Sequence, residues 1–149
     1  MITPVKMEDS RLWILDQSLL PGQEHYIELR TKEEIWAAIK KLQVRGAPAI
    51  GVAAAYGLYR AVRDLESANF QDFARDFHWA KEYIATARPT AVNLFWALER
   101  MEERLYQLRE QADAETPWEE QRAFIKEGLF QEADAIRRED EQSCLAMGE

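Results

Sequence analysis

The alternation of apolar and polar positions changes period near residue 30. Before it, RLWIL (11–15) and HYIEL (25–29) read as strands around LLPGQ, where Pro21-Gly22 favours a turn, and PVKME (4–8) reads as a third strand. After it the period is helical. TKEE (31–34) is a capping box, and Ile35, Ala38, Ile39 and Leu42 then fall on one face. A second helix is expected over about 48–64. NFQD (69–72) opens a third, with Phe70, Phe73, Phe77, Ala80 and Ile84 as its stripe. A fourth runs over about 90–111, with Leu94, Ala97, Leu98, Met101 and Leu105 inward. TPWE (116–119) is a second capping box with Pro117 at the first helical position; the helix it opens reaches about Met147, where Gly148 is a stop signal. The pattern predicts an α+β fold, with a small N-terminal antiparallel sheet of about three strands (1–30) followed by a bundle of about five helices (31–149). One domain is expected, with no Rossmann-like sheet, and the segment 48–59 is expected to be the most buried helix.

That second helix is unusual. Gly46 to Tyr59 are fourteen consecutive uncharged residues between Arg45 and Arg60, and eight of them are Gly or Ala. The run is too short to span a bilayer, which takes roughly 20 apolar residues. Ala47, Gly51 and Ala55 recur every four residues as a smooth stripe against which another helix can pack closely. Pro48 suits the first helical position, which leaves Arg45, Gly46 and Ala47 at the mouth of the helix. Free N–H groups and the positive dipole end make such a mouth an anion site, and Gly46 permits close approach of a ligand to the backbone. Arg45 has the wrong sign for that place, unless an anion sits between its guanidinium and the amides.

ARPTAVNLFWAL (87–98) repeats the arrangement, with Arg88 before Pro89 and a second apolar helix. Spacing alone leaves two readings open. Each arginine can belong to an ordinary Arg–Pro turn with its guanidinium in water, which is the more economical account, or both can converge on one phosphate. Neither a GxGxxG nor a Gly-Lys-Ser/Thr loop is present.

The remaining composition narrows the partners. Apolar residues make up 47% of the chain, enough for a core. The net charge of −8 resides entirely in residues 101–149, which reads as a solvated acidic helix face and argues against nucleic-acid binding. One cysteine excludes an intramolecular disulfide, and the first residues lack the apolar segment of a signal peptide, so a soluble cytoplasmic protein without membrane attachment is expected. His25 and His78 have no Cys or acidic partner at ligand spacing, so neither a metal nor another cofactor is expected. His25 reads as an exposed strand residue and His78 as a helix-surface residue. Cys144 lies on an acidic helix, where neighbouring carboxylates disfavour a thiolate, and reads as a small packed side chain. The run Glu139, Asp140, Glu141 reads as solvated, and the Trp and Phe residues at helical spacing read as core.

VRGAPAIGVAAAYGL (44–58) together with RPTAVNLFWALERM (88–101) resembles the methylthioribose-1-phosphate isomerases of methionine salvage. WILDQSLLPG near the start and EADAIRREDEQSCLAMGE at the end strengthen the likeness, which covers nearly the whole chain. The wider superfamily includes ribose-1,5-bisphosphate isomerases and regulatory subunits of initiation factor 2B. The resemblance implies an aldose–ketose isomerisation of a sugar 1-phosphate, with Arg45, Gly46, Ala47 and Arg88 as substrate contacts and the arginines on the phosphate side. It implies a small-molecule sugar phosphate as partner, and a homodimer for the full-length family protein. The family's Thr-His-Cys-Asn stretch, catalytic aspartate and Asn-Lys pair, which belong to a Rossmann-like domain after the long helix, have no match here. No catalytic residue therefore carries over, Cys144 included. What remains is a substrate-binding N-terminal domain, inactive alone, or else a non-catalytic regulatory module related to the initiation factor 2B subunits, or a ribose-1,5-bisphosphate isomerase-like fragment.

Overall fold

The computed structural model describes residues 5–9, 11–15, 25–41 and 47–147, without the side chains of residues 47, 48 and 142–147. Strands β1 (Val5–Glu8), β2 (Arg11–Leu15) and β3 (Tyr26–Leu29) form one antiparallel sheet in the order β1-β2-β3. Asp9 leaves β1 at φ 52°, a left-handed conformation that Asp tolerates. Val5 pairs with Ile14 and Leu12 with Leu29, so the buried side chains of three strands meet on one face. The expected turn at Pro21-Gly22 lies outside the described residues.

Five helices follow: α1 (Lys32–Lys40), α2 (Ala47–Arg63), α3 (Phe70–Ala85), α4 (Val92–Gln111) and α5 (Trp118–Met147). The expected α+β architecture is therefore the observed one. Thr31 caps α1 in a complete capping box, its hydroxyl accepting from the Glu34 N–H while the Glu34 carboxylate accepts from the Thr31 N–H. Ile35, Ala38 and Ile39 are buried as the spacing requires, whereas Leu42 lies outside the described residues. Asn69 caps α3.

Three helix starts differ from expectation. α2 begins at Ala47, which puts Pro48 at the second helical position, where its N–H is equally dispensable. α4 begins at Val92 behind Ala91, so Pro89 lies in the preceding turn. At α5 the Thr116 hydroxyl donates to the Asp113 carbonyl and caps nothing; the Pro117 carbonyl accepts the first helical hydrogen bonds, from Glu120 and Gln121. A threonine that can bond backwards into its own turn is lost to the helix that follows.

The apolar α2 is the centre of the molecule. Every residue from Ile50 to Arg60 is buried, and the helix touches α1, α3, α4, α5, β1 and β2. Its glycines make this close packing possible. A Cβ on Gly57 would lie 2.6 Å from Cγ2 of Ile35 in α1, and one on Gly51 would lie 3.2 Å from the backbone oxygen of Asn93 in α4.

Among the described residues no helix is long and apolar enough to cross a membrane. Several aromatics depart from the core role their spacing suggested: Trp79, Phe95, Trp96 and Phe124 are exposed.

Candidate functional site

Contacts along α5 fix the relative directions of the helices. Tyr56 and Tyr59 of α2 meet Asp134 and Phe130 of α5, and the carbonyls of Leu65 and Ser67, just past the end of α2, accept from Lys126, Arg122 and Trp118. Residue numbers rise along α2 as they fall along α5, so the two are antiparallel. The same holds for α4: Arg100 meets Glu132 and Glu139, Gly128 faces Leu108, and Arg109 donates to Gln121. Two helices antiparallel to a third are parallel to each other. α2 and α4 thus present their N-terminal ends on the same side of the bundle, and Gly51 against Asn93 places the second turn of α2 on the first turn of α4.

Those two ends differ chemically from the others. α1, α3 and α5 carry Glu33 and Glu34, Asp72, and Glu119 and Glu120 in their first turns; α2 and α4 carry no acidic residue there. Ala91 at the start of α4 offers no side-chain cap either. An acidic first turn and a capping side chain each stabilise a helix, so both are missing where an incoming anion would use the same N–H groups and dipole.

Of the four residues singled out in the sequence, Arg88 is the one described in full. It is half-buried in the turn between α3 and α4, its carbonyl accepts from the Ala91 N–H at 3.0 Å, and among the described residues its guanidinium makes no ion pair. Ala47 is the first residue of α2, its side chain outside the described part. Arg45 and Gly46 lie outside the described residues.

A polar network braces the middle of the bundle. Tyr56, fully buried, donates to Asp134 at 2.8 Å and accepts from Arg137 at 2.8 Å; burial, and then Asp134, push its phenol well above the ordinary value. Arg100 joins α4 to α5 through Glu132 and Glu139, each at 2.6 Å, and Arg137 holds Glu141 at 2.8 Å. Glu139 and Glu141 are therefore ion-paired rather than simply solvated. The Cys144 side chain lies outside the described residues.

The sequence reading missed one cluster. His78, exposed as expected, nevertheless meets Glu102 at 3.1 Å, and buried Lys81 holds Glu102 at 2.9 Å and Glu99 at 2.7 Å. The available signal was the three-residue spacing of His78 and Lys81 on one face of α3. The cluster ties α3 to α4, and among the described residues no group of three His, Cys, Asp or Glu is placed to hold a metal ion. His25 is exposed and directly precedes β3.

Known proteins resemble this chain at the level of sequence and of fold. It is 50% identical to the methylthioribose-1-phosphate isomerase of Symbiobacterium thermophilum, over 99% of this chain and 39% of the relative. It is 46% identical to the 5-deoxyribose 1-phosphate isomerase of Petrotoga mobilis, over 99% of this chain and 40% of the relative. Among solved structures, subunit delta of translation initiation factor eIF-2B from A. fulgidus superposes with a TM-score of 0.79 at 34% identity, covering 93% of this chain and 37% of that one. The 5-methylthioribose 1-phosphate isomerase of Pyrococcus horikoshii superposes with a TM-score of 0.74 at 32% identity, covering 91% and 36%. The chain thus spans about two fifths of the length of these relatives. The pattern of the initiation factor 2 subunit family matches residues 43–149, which is more than half of the sequence, and the chain belongs to that family.

Proposed function

We propose that this chain is the substrate-binding part of an aldose–ketose isomerase that converts 5-methylthioribose 1-phosphate to 5-methylthioribulose 1-phosphate. In this reading Arg45, Gly46, Ala47 and Arg88 hold the phosphate. The observation that carries it is the pairing of two parallel helix N-termini, in contact at Gly51 and Asn93, that lack acidic first turns and follow an arginine each. A dianionic phosphate between them supplies the charge that the sequence withholds from both ends.

The relatives' names point the same way. Methylthioribose 1-phosphate and 5-deoxyribose 1-phosphate differ at the fifth carbon and share the phosphate on the first. A segment common to both kinds of relative suits the shared group. The second reading, a non-catalytic module, draws on the likeness to subunit delta of eIF-2B.

Isomerisation requires a positioned proton or hydride relay, which a phosphate clamp does not supply. The expected outcome is that this chain alone forms no ketose from methylthioribose 1-phosphate, with Cys144→Ser as a control for a thiol role, and binds the sugar phosphate at millimolar levels. Loss of one charge-assisted hydrogen bond costs roughly 1.5–3 kcal/mol when well formed. In a half-open, wet site Arg88→Ala is expected to weaken binding about tenfold, at the low end of that range. An unchanged affinity in Arg88→Ala removes Arg88 from the site. Turnover that disappears in Cys144→Ser makes Cys144 the catalytic thiol.

A further inference from the structure

A cavity of about 320 Å³ opens between the end of α2, the start of α1 and the middle of α3. Small-molecule sites run from roughly 300 to 1,000 Å³, so this one suits a small metabolite. Arg60 forms part of its wall. Arg60 follows Ala47 by thirteen residues, roughly 20 Å along α2 at about 1.5 Å per residue, so the cavity is separate from the two helix mouths.

Arg60 is a charged side chain left with half a partner. It is 9% exposed, its Nη1 donates to Asp64 at 3.0 Å, and its buried Nε has no partner among the described residues. Asp64 does not belong to it alone. The Asp64 carboxylate also accepts from Arg63, from Nε at 3.1 Å and from Nη2 at 3.3 Å. One carboxylate, 68% exposed, thus serves two guanidiniums. The negative end of α2 offsets part of the excess, since it counts for about half a charge. The other cations of the wall are engaged: Arg30 pairs with Glu28 at 3.3 Å, and Lys32 lies 5.7 Å from the centre of the Tyr83 ring. A buried cation that shares an exposed counter-ion is costly to hold, and a second carboxylate beside it lowers that cost.

The rest of the wall says what carries that carboxylate. Glu33, Asp64 and Asp76 border the same space, so a dianion such as phosphate meets three like charges there. A molecule with one charge of each sign avoids that repulsion. Asp76 is suited to the positive group: its ion pair is with half-exposed Arg75, at 3.4 Å. Arg75 also lies over the Trp79 ring at 5.2 Å, which holds ring and carboxylate next to each other. Trp79 and Leu65 give the cavity an apolar side, and Trp79 is 58% exposed.

We propose that this cavity binds a free α-amino acid with an apolar side chain. Arg60 takes its carboxylate, Asp76 its ammonium group, and Trp79 with Leu65 its side chain. The inference does not depend on the phosphate reading of Arg45 and Arg88.

The test follows the Trp79 indole N–H of the isotope-labelled chain by NMR, its signal assigned by its disappearance in Trp79→Phe. L-leucine and L-phenylalanine are titrated in, with acetate, isopentylamine and inorganic phosphate as probes of one sign alone. A saturable shift is expected with at least one of the two amino acids, at concentrations about tenfold or more below those at which any probe of one sign acts. Asp76→Asn is expected to weaken amino-acid binding about tenfold or more and to leave acetate unchanged, whereas Arg60→Gln weakens both. If circular dichroism shows that Arg60→Gln does not fold, Asp76→Asn decides. No saturable shift with either amino acid overturns the proposal. Phosphate that acts at Trp79 as strongly as the amino acids overturns it in favour of a plain anion site. Unchanged amino-acid affinity in Asp76→Asn overturns it as well, because the ammonium group then has no partner there.

Discussion

Gly51→Val puts the contact between the two helix ends under direct strain. A Cβ at position 51 would sit 3.2 Å from the Asn93 oxygen and 3.6 Å from the Asn93 Cβ, with the Asn93 carbonyl carbon at 3.8 Å. The nearest atom belongs to backbone in the first turn of a helix and cannot swing aside as a side-chain tip can. A lone methyl asks for a shift of a few tenths of an ångström. Gly51→Ala also gains up to about 1 kcal/mol of helix propensity, so its net effect is expected to be close to zero. Valine gains less than half of that and adds two branches to a Cβ already against α4. Overpacking of this kind costs about 1–3 kcal/mol, so the net loss is expected to be about 0.5–2.5 kcal/mol. For a chain of this size that is a fall in Tm of roughly 1–10 °C, from about 2–4 °C per kcal/mol. Thermal unfolding followed by far-UV circular dichroism measures it, with Ala61→Val on the half-buried flank of the same helix as the control for β-branching. If Gly51→Val melts with wild type while Ala61→Val also does, α4 does not press on α2 at this point. The two N-terminal ends are then not held together, and one phosphate does not bridge them.

Tyr56→Phe removes a buried hydroxyl from Asp134 and Arg137, which keep each other as partners at 2.9 Å; a loss of about 1–2 kcal/mol in urea unfolding is expected, and no loss refutes the network's contribution. Phe77→Ala empties a fully buried site on α3 and is expected to cost about 3–5 kcal/mol by the same measurement, whereas a cost under about 1 kcal/mol means the site is not packed. Burial opposes ionisation of Asp134 and Glu102, yet hydrogen bonds from Arg137 and Tyr56, and from Lys81 and His78, hold both carboxyls below their ordinary values; a hydrogen bond from Arg100 does the same for Glu139. Depressed carboxyls contribute stability above their unfolded values of 3.8 for Asp and 4.5 for Glu, and lose it as the pH falls through the folded ones, so the urea midpoint should drop as the pH falls below about 5. Asp140, raised by burial and by Glu141, softens that drop, and a midpoint that climbs on acidification refutes the assignment.

The strands and helices were legible because each depends on local pattern. Thr31 and Glu34 specify the start of α1 by chemistry that needs no tertiary partner, and the stripe from Phe73 to Ile84 marks the inward face of α3 by spacing alone. Errors came where two local bonds compete. Thr116 could cap α5 or bond back to Asp113, and the sequence does not rank these. Pro89 fits a first helical turn as well as the turn that precedes one. For the candidate site, two arginines before two apolar helices suggested an anion, and Arg45 lies outside the described residues. What the sequence could not supply was direction. That α2 and α4 run parallel follows from Tyr56 meeting Asp134 and Arg100 meeting Glu132, pairs 78 and 32 residues apart. Exposed Trp96 misled for a related reason, since a single wheel of α4 shows apolar residues on both faces and only the fold says which face is inside.

Parallel helices that expose their positive ends side by side should repel, and the fold answers this with α5. Its antiparallel course brings its negative end to the same side as the starts of α2 and α4, and α3 does likewise, since Phe70 meets Tyr106 and Arg109 of α4 while Lys81 meets Glu99 and Glu102; two negative ends thus offset the two positive ones. Arg100 and Arg137 in turn neutralise the carboxylates that α5 brings with it, Glu132, Glu139 and Glu141 among them. What is left at this end is the charge of Arg88, whose guanidinium has no counter-ion among the described residues. Added phosphate should therefore raise the Tm of this chain with the logarithm of 1 + [phosphate]/Kd, whereas chloride at equal ionic strength should leave it unchanged or lower it by screening. A chloride effect as large as that of phosphate would mean that general screening, and no shaped site, accounts for the response.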